Sequence, residues 1–358
     1  MTARSPSLSS LQVLGIWAPH TAALIAPLQA LGFLLSGPHA GWSAVLWLVI
    51  PGAALQLADR YSGRKTDPPH PDVPAWPFDA LLALLVAIQF ANVALLARHF
   101  ATQSLWSLDS LAGLLLVGGS SGYSGIVVAH ELIHRASPRL QLAGRAILCT
   151  VLYEHFYTEH LRGHHVRVAT QDDPATARFG ETFNHFYFRT VPAQFLSAWR
   201  IEAERVGAAW TPRNRVLQGL FAQTALLWAV AATCGWAAVA GFVVQAVFAA
   251  RALEVVNYFE HWGLTRAERR VRPVDSWDCD SRFTYYALTG LTRHSDHHAY
   301  ATRPYQALRP HPDAPRLPRG YLALFPLVIG RNAKFRRLAT EELQRRKLGP
   351  FAEREVAV

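Results

Sequence analysis

LDSLAGLLLVGGSSGYSGIVVAHELIHR, residues 108–135, holds an apolar run from Leu108 to Ala129 that breaks directly into His130-Glu131-Leu132-Ile133-His134. Crossing the hydrocarbon of a bilayer takes about 20 mostly apolar residues in a helix. Two histidines four apart on that helix project from one face, one turn separated, so both imidazoles reach a common point. The stretch reads as a span that ends in a candidate ligand pair.

Outward from it, hydropathy marks further spans at about residues 12–35, 42–57 and 78–97 before the 108–129 span, and at about 216–234 and 236–256 after it. The second is the shortest and contains Pro51, which predicts a kink or change of tilt there. The apolar run Tyr321–Gly330 is too short to cross and reads as an interfacial or core segment. With 358 residues, 51% of them hydrophobic and 17% charged, the chain mixes spans with sizeable aqueous segments. The expected fold is all-α and integral to the membrane. Six transmembrane helices carry a histidine-rich helical cap built from residues 130–215 and 257–358. The opening MTARSPSLSS runs into the first span without a small-residue cleavage site, so that span reads as uncleaved.

Charge sets the orientation. In a six-span arrangement 33 of the 35 Lys and Arg fall on one side, only Arg98 and Arg251 being left over. The positive-inside rule then puts both termini and both histidine-bearing segments in the cytoplasm, as in a multi-pass protein of a bacterial-type inner membrane. The net charge of +10 is accounted for by topology, and no nucleic-acid recognition motif accompanies it. Cys149, Cys234 and Cys279 stand singly, which excludes a disulfide framework, a zinc ribbon or a rubredoxin-type iron site in this chain.

Nine of the sixteen histidines form four groups. After His130 and His134 comes Glu159-His160-Leu161-Arg162-Gly163-His164-His165. On an α-helix His160 and His164 share a face while His165 points about 100° away, so this group is expected to feed two ions. His294-Ser295-Asp296-His297-His298 has i, i+3 and i+4 spacing that is expected to converge three rings. The singleton is His261, in Asn257-Tyr258-Phe259-Glu260-His261 at the end of the last span, with Glu254 and Arg251 about two and three turns before it. Charges there are costly unless they face a polar interior.

His130-Glu131-x-x-His134 also fits the zinc-peptidase signature, in which the glutamate is the general base. That reading needs one further ligand and leaves at least six histidines unused. Nine imidazoles suit two metals with four or five ligands each, and imidazole accepts iron, zinc or copper. A site at the end of apolar helices, open to a lipid-soluble substrate, suits oxidation of an unactivated C–H bond, which is redox chemistry that zinc does not supply. Iron is the economical choice. Glu131, Glu159, Glu254, Asn257, Glu260 and Asp296 are candidates for orienting the imidazoles around neutral-ligand metals.

The motifs His130–Arg135, Glu159–His165, Asn257-Tyr258-Phe259-Glu260-His261-Trp262-Gly263 and Leu291–Ala299 resemble the membrane alkane 1-monooxygenase family of the membrane fatty-acid desaturase and hydroxylase superfamily. So do Val166–Thr170, Ala177–Gly180, Arg272-Pro273, Ser276-Trp277 and Arg303–Gln306. The Asn-Tyr-x-Glu-His motif separates this branch from ordinary desaturases. The resemblance implies one desaturase-like domain over residues 1–358, with two non-haem irons held by His130, His134, His160, His164, His165, His261, His294, His297 and His298. It further implies use of dioxygen and of two electrons from rubredoxin or ferredoxin and its reductase to make a primary alcohol. A desaturase or aryl-methyl oxidase on the same scaffold is the alternative. Trp262, Thr292 and Arg135 stand where the family commonly has tyrosine, glutamine and lysine, which marks a divergent member. The hydrophobic substrate is expected to enter from the lipid between the spans, where Trp47 and Phe90 are the candidate channel residues. The basic face is expected to dock the electron carrier.

Overall fold

The computed structural model describes residues 8–353; Arg4, counted in the charge distribution, and the two chain ends expected in the cytoplasm lie outside them. The described residues are helical, with no strand and only the isolated bridge pairs Arg64 with Ser281 and Asp278 with Arg316. Five helices are long and apolar enough to cross a membrane: α1 (Ser10–Ser36), α3 (Trp76–Thr102), α4 (Leu108–Ile133), α8 (Arg215–Cys234) and α9 (Trp236–His261). Between the first two lies α2 (Ser43–Tyr61), the expected second span. It continues through Pro51, but Asp59 and Arg60 in its last turn cut its apolar length, and it is not among the five. Three of the five spans run past the boundaries read from hydropathy by three or more residues at one end, because helix continues until capping or a glycine stops it. Ser107 accepts from the Ser110 amide to start α4, and Gly235, at φ +83°, turns α8 into α9.

The remaining helices are short or amphipathic. Helix α5 (Pro138–Thr150) packs back on the end of α4, and α6 (residues 156–167) follows it. Helix α7 (Phe183–Val206) lies against α6 and α9. Helices α10 (Arg282–Ala287) and α11 (His294–Ala299) precede α12 (Tyr321–Gly330), the apolar run too short to cross, which packs on α2 and α9. Helix α13 (Asn332–Arg346) closes the cap.

Spans α4 and α9 pack most intimately, and small residues permit it. A Cβ on Gly122 would lie 2.7 Å from that of Ala252, and one on Gly118 would lie 3.0 Å from the Phe248 ring. Exposed tryptophans ring the bundle at two levels. Trp42, Trp106 and Trp236 stand at the end of the bundle away from the histidines, while Trp76 and Trp210 stand at the histidine end. Amphipathic indoles concentrate at membrane–water boundaries, so the two levels frame an integral membrane protein.

The cap is tied to the spans by a buried carboxylate. Asp59, 5% exposed near the end of α2, accepts from Ser281 Oγ at 2.5 Å, from Thr284 Oγ1 and from the Ala323 amide at 3.0 Å, joining α2 to α10 and α12. Asp59→Ala strands those donors and is expected to cost about 2–5 kcal/mol. Thermal unfolding of the detergent-solubilised protein should show a lower midpoint, with Asp59→Asn falling between the two.

Candidate metal centre

All nine histidines of the four motifs meet at one end of the bundle, and they meet as two groups. His130, His134, His160, His165 and His297 offer ring nitrogens within 4.8 Å of one another, as do His164, His261, His294 and His298. The partition differs from the one expected on α-helical spacing. Residues Glu159–His164 of α6 form a π-helical turn, so His160 pairs with His165 five positions on, their Nε2 atoms 3.0 Å apart, and His164 turns to the other group. In α11 the i, i+4 pair His294 and His298 stays together at 3.0 Å, while His297 crosses to the first group and reaches His165 Nε2 at 3.1 Å. His261, from the end of α9, lies 3.1 Å from His294. A second π-helical turn, Ser121–Gly125, interrupts α4 before His130.

The donor set fits metal ions. A neutral imidazole Nε2 carries either one proton or one lone pair. Yet His160 Nε2 lies 3.0 Å from both His134 and His165, and His165 lies 3.1 Å from His297, an array that protons alone do not satisfy. The buried Nε2 atoms of His130 and His164 have no hydrogen-bond partner at all. Cations at about 2.1 Å from each nitrogen would place neighbouring nitrogens about 3.0 Å apart at angles near 90°, which is the spacing found. The group of four is wholly buried, whereas His134 and His165 of the group of five are half-buried.

The carboxylates fall differently from the expectation. Glu131 accepts from Arg135 Nε at 2.7 Å and from the Tyr305 amide at 3.3 Å, so it faces away from the clusters and the general base of the zinc-peptidase reading is not in place. Glu159 is held by Arg167 at 2.8 Å, and burial lifts its carboxyl to about 7. Asp296 is bound by Arg303 and by His311 at 2.6 Å. Glu254 accepts from Tyr153, Gln194 and Asn257, which satisfies it without an imidazole. In each case a nearby donor outcompetes the ring, because unpaired buried charge costs more than a lost contact to imidazole. Of these expected carboxylates only Glu260 reaches a histidine of the two clusters, its Oε2 3.3 Å from His294 Nε2 while Oε1 accepts from Tyr321 at 2.5 Å.

Asp173 was not foreseen. Its Oδ2 lies 2.9 Å from His164 Nδ1, the nitrogen turned away from the cluster, and it is fixed by the Ala175 amide and Thr176 Oγ1. Accepting the Nδ1 proton leaves the Nε2 lone pair facing inward. The available signal was Asp172-Asp173-Pro174 shortly after His165, in a loop rather than a motif.

The channel candidates are also displaced. Trp47 packs on Phe33 and His39, and Phe90 is 41% exposed on the outer face of α3, so neither lines a cavity at the centre. An apolar cavity of about 300 Å³ lies instead between α2, α4, α9 and α12, with Tyr123, Ala252 and Val255 at its wall. A smaller one of about 30 Å³ sits next to it, bordered by Gly122, Leu253 and Val256 and reaching His130, His160 and His294.

A helical membrane scaffold presenting two imidazole clusters beside an apolar cavity defines a membrane-bound enzyme of metal-dependent type. Residues 104–327 match the family model described as fatty acid desaturase. The chain is 36% identical over 313 residues to alkane 1-monooxygenase 1 of Pseudomonas aeruginosa, covering 82% of this chain and 81% of that one. It is 33% identical over 327 residues to alkane 1-monooxygenase 2 of Alcanivorax borkumensis, covering 85% and 84%. A more distant relative is the xylene/toluene monooxygenase hydroxylase component of Pseudomonas putida, 28% identical over 218 residues and covering 58% of each chain. The chain belongs to the alkane 1-monooxygenases within the fatty acid desaturase family and is an oxidoreductase.

Burial, and then repulsion from neighbouring rings, holds His134, His160, His165, His294, His297 and His298 well below the ordinary imidazole value of about 6.5. They are neutral at pH 7, the form a metal requires. Unfolded, these rings protonate near pH 6.5; folded, they do not, so below that pH the unfolded state binds more protons and stability rises with pH. The metal-free protein should therefore show a steadily falling unfolding midpoint from about pH 7.5 to 5.5, and a flat profile would contradict the assignment. Asp173→Asn is expected to weaken metal retention about 10–100-fold, measured as metal content after dialysis, with the helical circular dichroism unchanged.

Proposed function

We propose that this protein is a non-haem di-iron monooxygenase that hydroxylates the terminal carbon of an alkane or alkyl chain. The observation carrying the reading is the two-group convergence of nine imidazoles beside an apolar cavity in a chain related over most of its length to alkane 1-monooxygenases. Two irons at those positions would supply the redox chemistry by which one atom of dioxygen enters a terminal C–H bond and the other leaves as water, with two electrons and two protons delivered from outside.

The residues of the chain do the rest. His130, His134, His160, His165 and His297 would hold one iron, and His164, His261, His294 and His298 the other. Asp173 fixes the tautomer and direction of His164. The narrow cavity at Gly122, Leu253 and Val256 admits a chain end and little else, which orients a terminal carbon toward His130, His160 and His294 and excludes bulk water. Glu260, held by Tyr321, adds a carboxylate near otherwise neutral ligands and offsets metal charge.

The setting is a six-span membrane domain over residues 1–358. Helix α2 serves as the sixth span, since Leu46, Val49 and Ile50 point outward and Trp42 marks its start. The basic excess places the histidine end in the cytoplasm. Electrons come from rubredoxin or ferredoxin and its reductase, drawn to that basic face and delivered through the less buried group of five.

Metal analysis of the purified protein should find about two iron ions per chain. Incubation with octane, dioxygen and a reducing rubredoxin system should then yield 1-octanol, with no product after chelation. Zinc in place of iron, or no alcohol from any chain-length series, would defeat the reading.

A further inference from the structure

A line of aromatic rings leaves the group of five and reaches the surface. Phe156 stacks on His160, with ring centres 4.6 Å apart and planes 22° from parallel. Tyr153 lies 6.5 Å from Phe156, His155 lies 4.3 Å from Tyr153, and Phe195 of α7 lies 5.4 Å from His155. Trp199, one turn along α7, is 6.3 Å from Phe195. Trp210, in the loop after α7, is 5.0 Å from Trp199 and 81% exposed.

Aromatic packing alone accounts for rings in such contact. Two features go beyond packing. The side chains that give up an electron most readily, Tyr153, Trp199 and Trp210, stand in order from the buried end of the line to the exposed end. Tyr153 is also arranged to lose a proton with its electron. Its buried hydroxyl donates to Glu254 Oε1 at 2.9 Å, and the other partners of Glu254 are the neutral amides of Gln194 and Asn257. Losing an electron turns a phenol into a strong acid, and this hydrogen bond already points the proton at a carboxylate.

Phe156 and His160 both border the small cavity where a terminal carbon would lie. When no C–H bond is in reach there, dioxygen reduction leaves oxidising equivalents with nothing to oxidise. We propose that the line from His160 to Trp210 carries those equivalents out of the metal centre one electron at a time, a protective oxidase activity beside hydroxylation. The proposal rests on the monooxygenase reading. The centre takes an electron from Tyr153, whose proton passes to Glu254. Tyr153 then recovers an electron from Trp199 and its proton from Glu254, and Trp210 refills Trp199. A water-soluble thiol refills Trp210, so two passages convert two thiols into one disulfide and release two protons. Two protons taken up at the centre balance them, and both atoms of dioxygen leave as water.

Photo-oxidation of the metal-free, full-length protein by ruthenium tris-bipyridine tests the path without turnover. Electron paramagnetic resonance should show a tyrosyl signal that is lost in Tyr153→Phe and delayed in Trp199→Phe, while Trp228→Phe, off the line, leaves it unchanged. No tyrosyl signal in the wild-type protein, or one equal in both line variants, overturns the proposal, and the first of these needs no variant to fold. In iron-loaded, reduced protein given dioxygen but no hydrocarbon, peptide mass spectrometry should find oxidised Trp199 and Trp210. Glutathione should suppress that oxidation, and Trp199→Phe should abolish it at Trp210; equal oxidation of Trp210 in that variant overturns the proposal. A conducting line in the metal-free protein, with no dioxygen-dependent oxidation after iron loading, would count against the monooxygenase reading alone. Hydroxylation of octane without any tyrosyl signal would count against this inference alone.

Discussion

Nine imidazoles are brought to two points inside a protein at the cost of their own desolvation, and the rest of the architecture follows from supporting them. Each ring is drawn from a helix or its end, whose register fixes its direction, so the register of four separate segments must agree. The π-helical turn at Glu159–His164 is where this agreement is reached. It pairs His160 with His165 and sends His164 to the other group, where α-helical spacing would pair His160 with His164. The turn is stabilised from below by Glu159 with Arg167 and from the side by Asp173 on His164.

The membrane scaffold gives the clusters a fixed frame. Glycines 118 and 122 let α4 approach α9 closely, which carries His130 and His261 to the same level from two spans. Asp59 then ties the end of α2 to the cap that supplies His294, His297 and His298, so the cap is not free to slide on the bundle. The smaller cavity lies in the seam between α4 and α9, bordered by Gly122 and Leu253, and reaches His130, His160 and His294.

Charge is distributed by the same rule of local satisfaction. Glu131, Glu159, Glu254 and Asp296 all lie close to the histidines in sequence, yet each is claimed by an arginine, a tyrosine, a histidine outside the clusters or an amide that reaches it first. Asp173 and Glu260 are the carboxylates left to act on the rings. Arg251, in span α9, is held by neutral partners instead, resting over Phe183 and Tyr187 and donating to Asn184 Oδ1.

The sequence by itself determined the helical membrane class, the positions of the spans to within a few residues, and the identity of the nine histidines, because hydropathy and i, i+4 spacing are local properties of the chain. The family was readable for the same reason, in motifs such as Asn257–His261. Which rings share a point, which carboxylate meets a ring, and where the cavity runs were settled only by the fold. Those depend on a π-turn that spacing rules assume away, on a loop aspartate brought in by the path of the chain, and on helices packing around a space that Trp47 and Phe90 do not enter. Contacts between distant segments carry no local signature, so tertiary structure alone decides them.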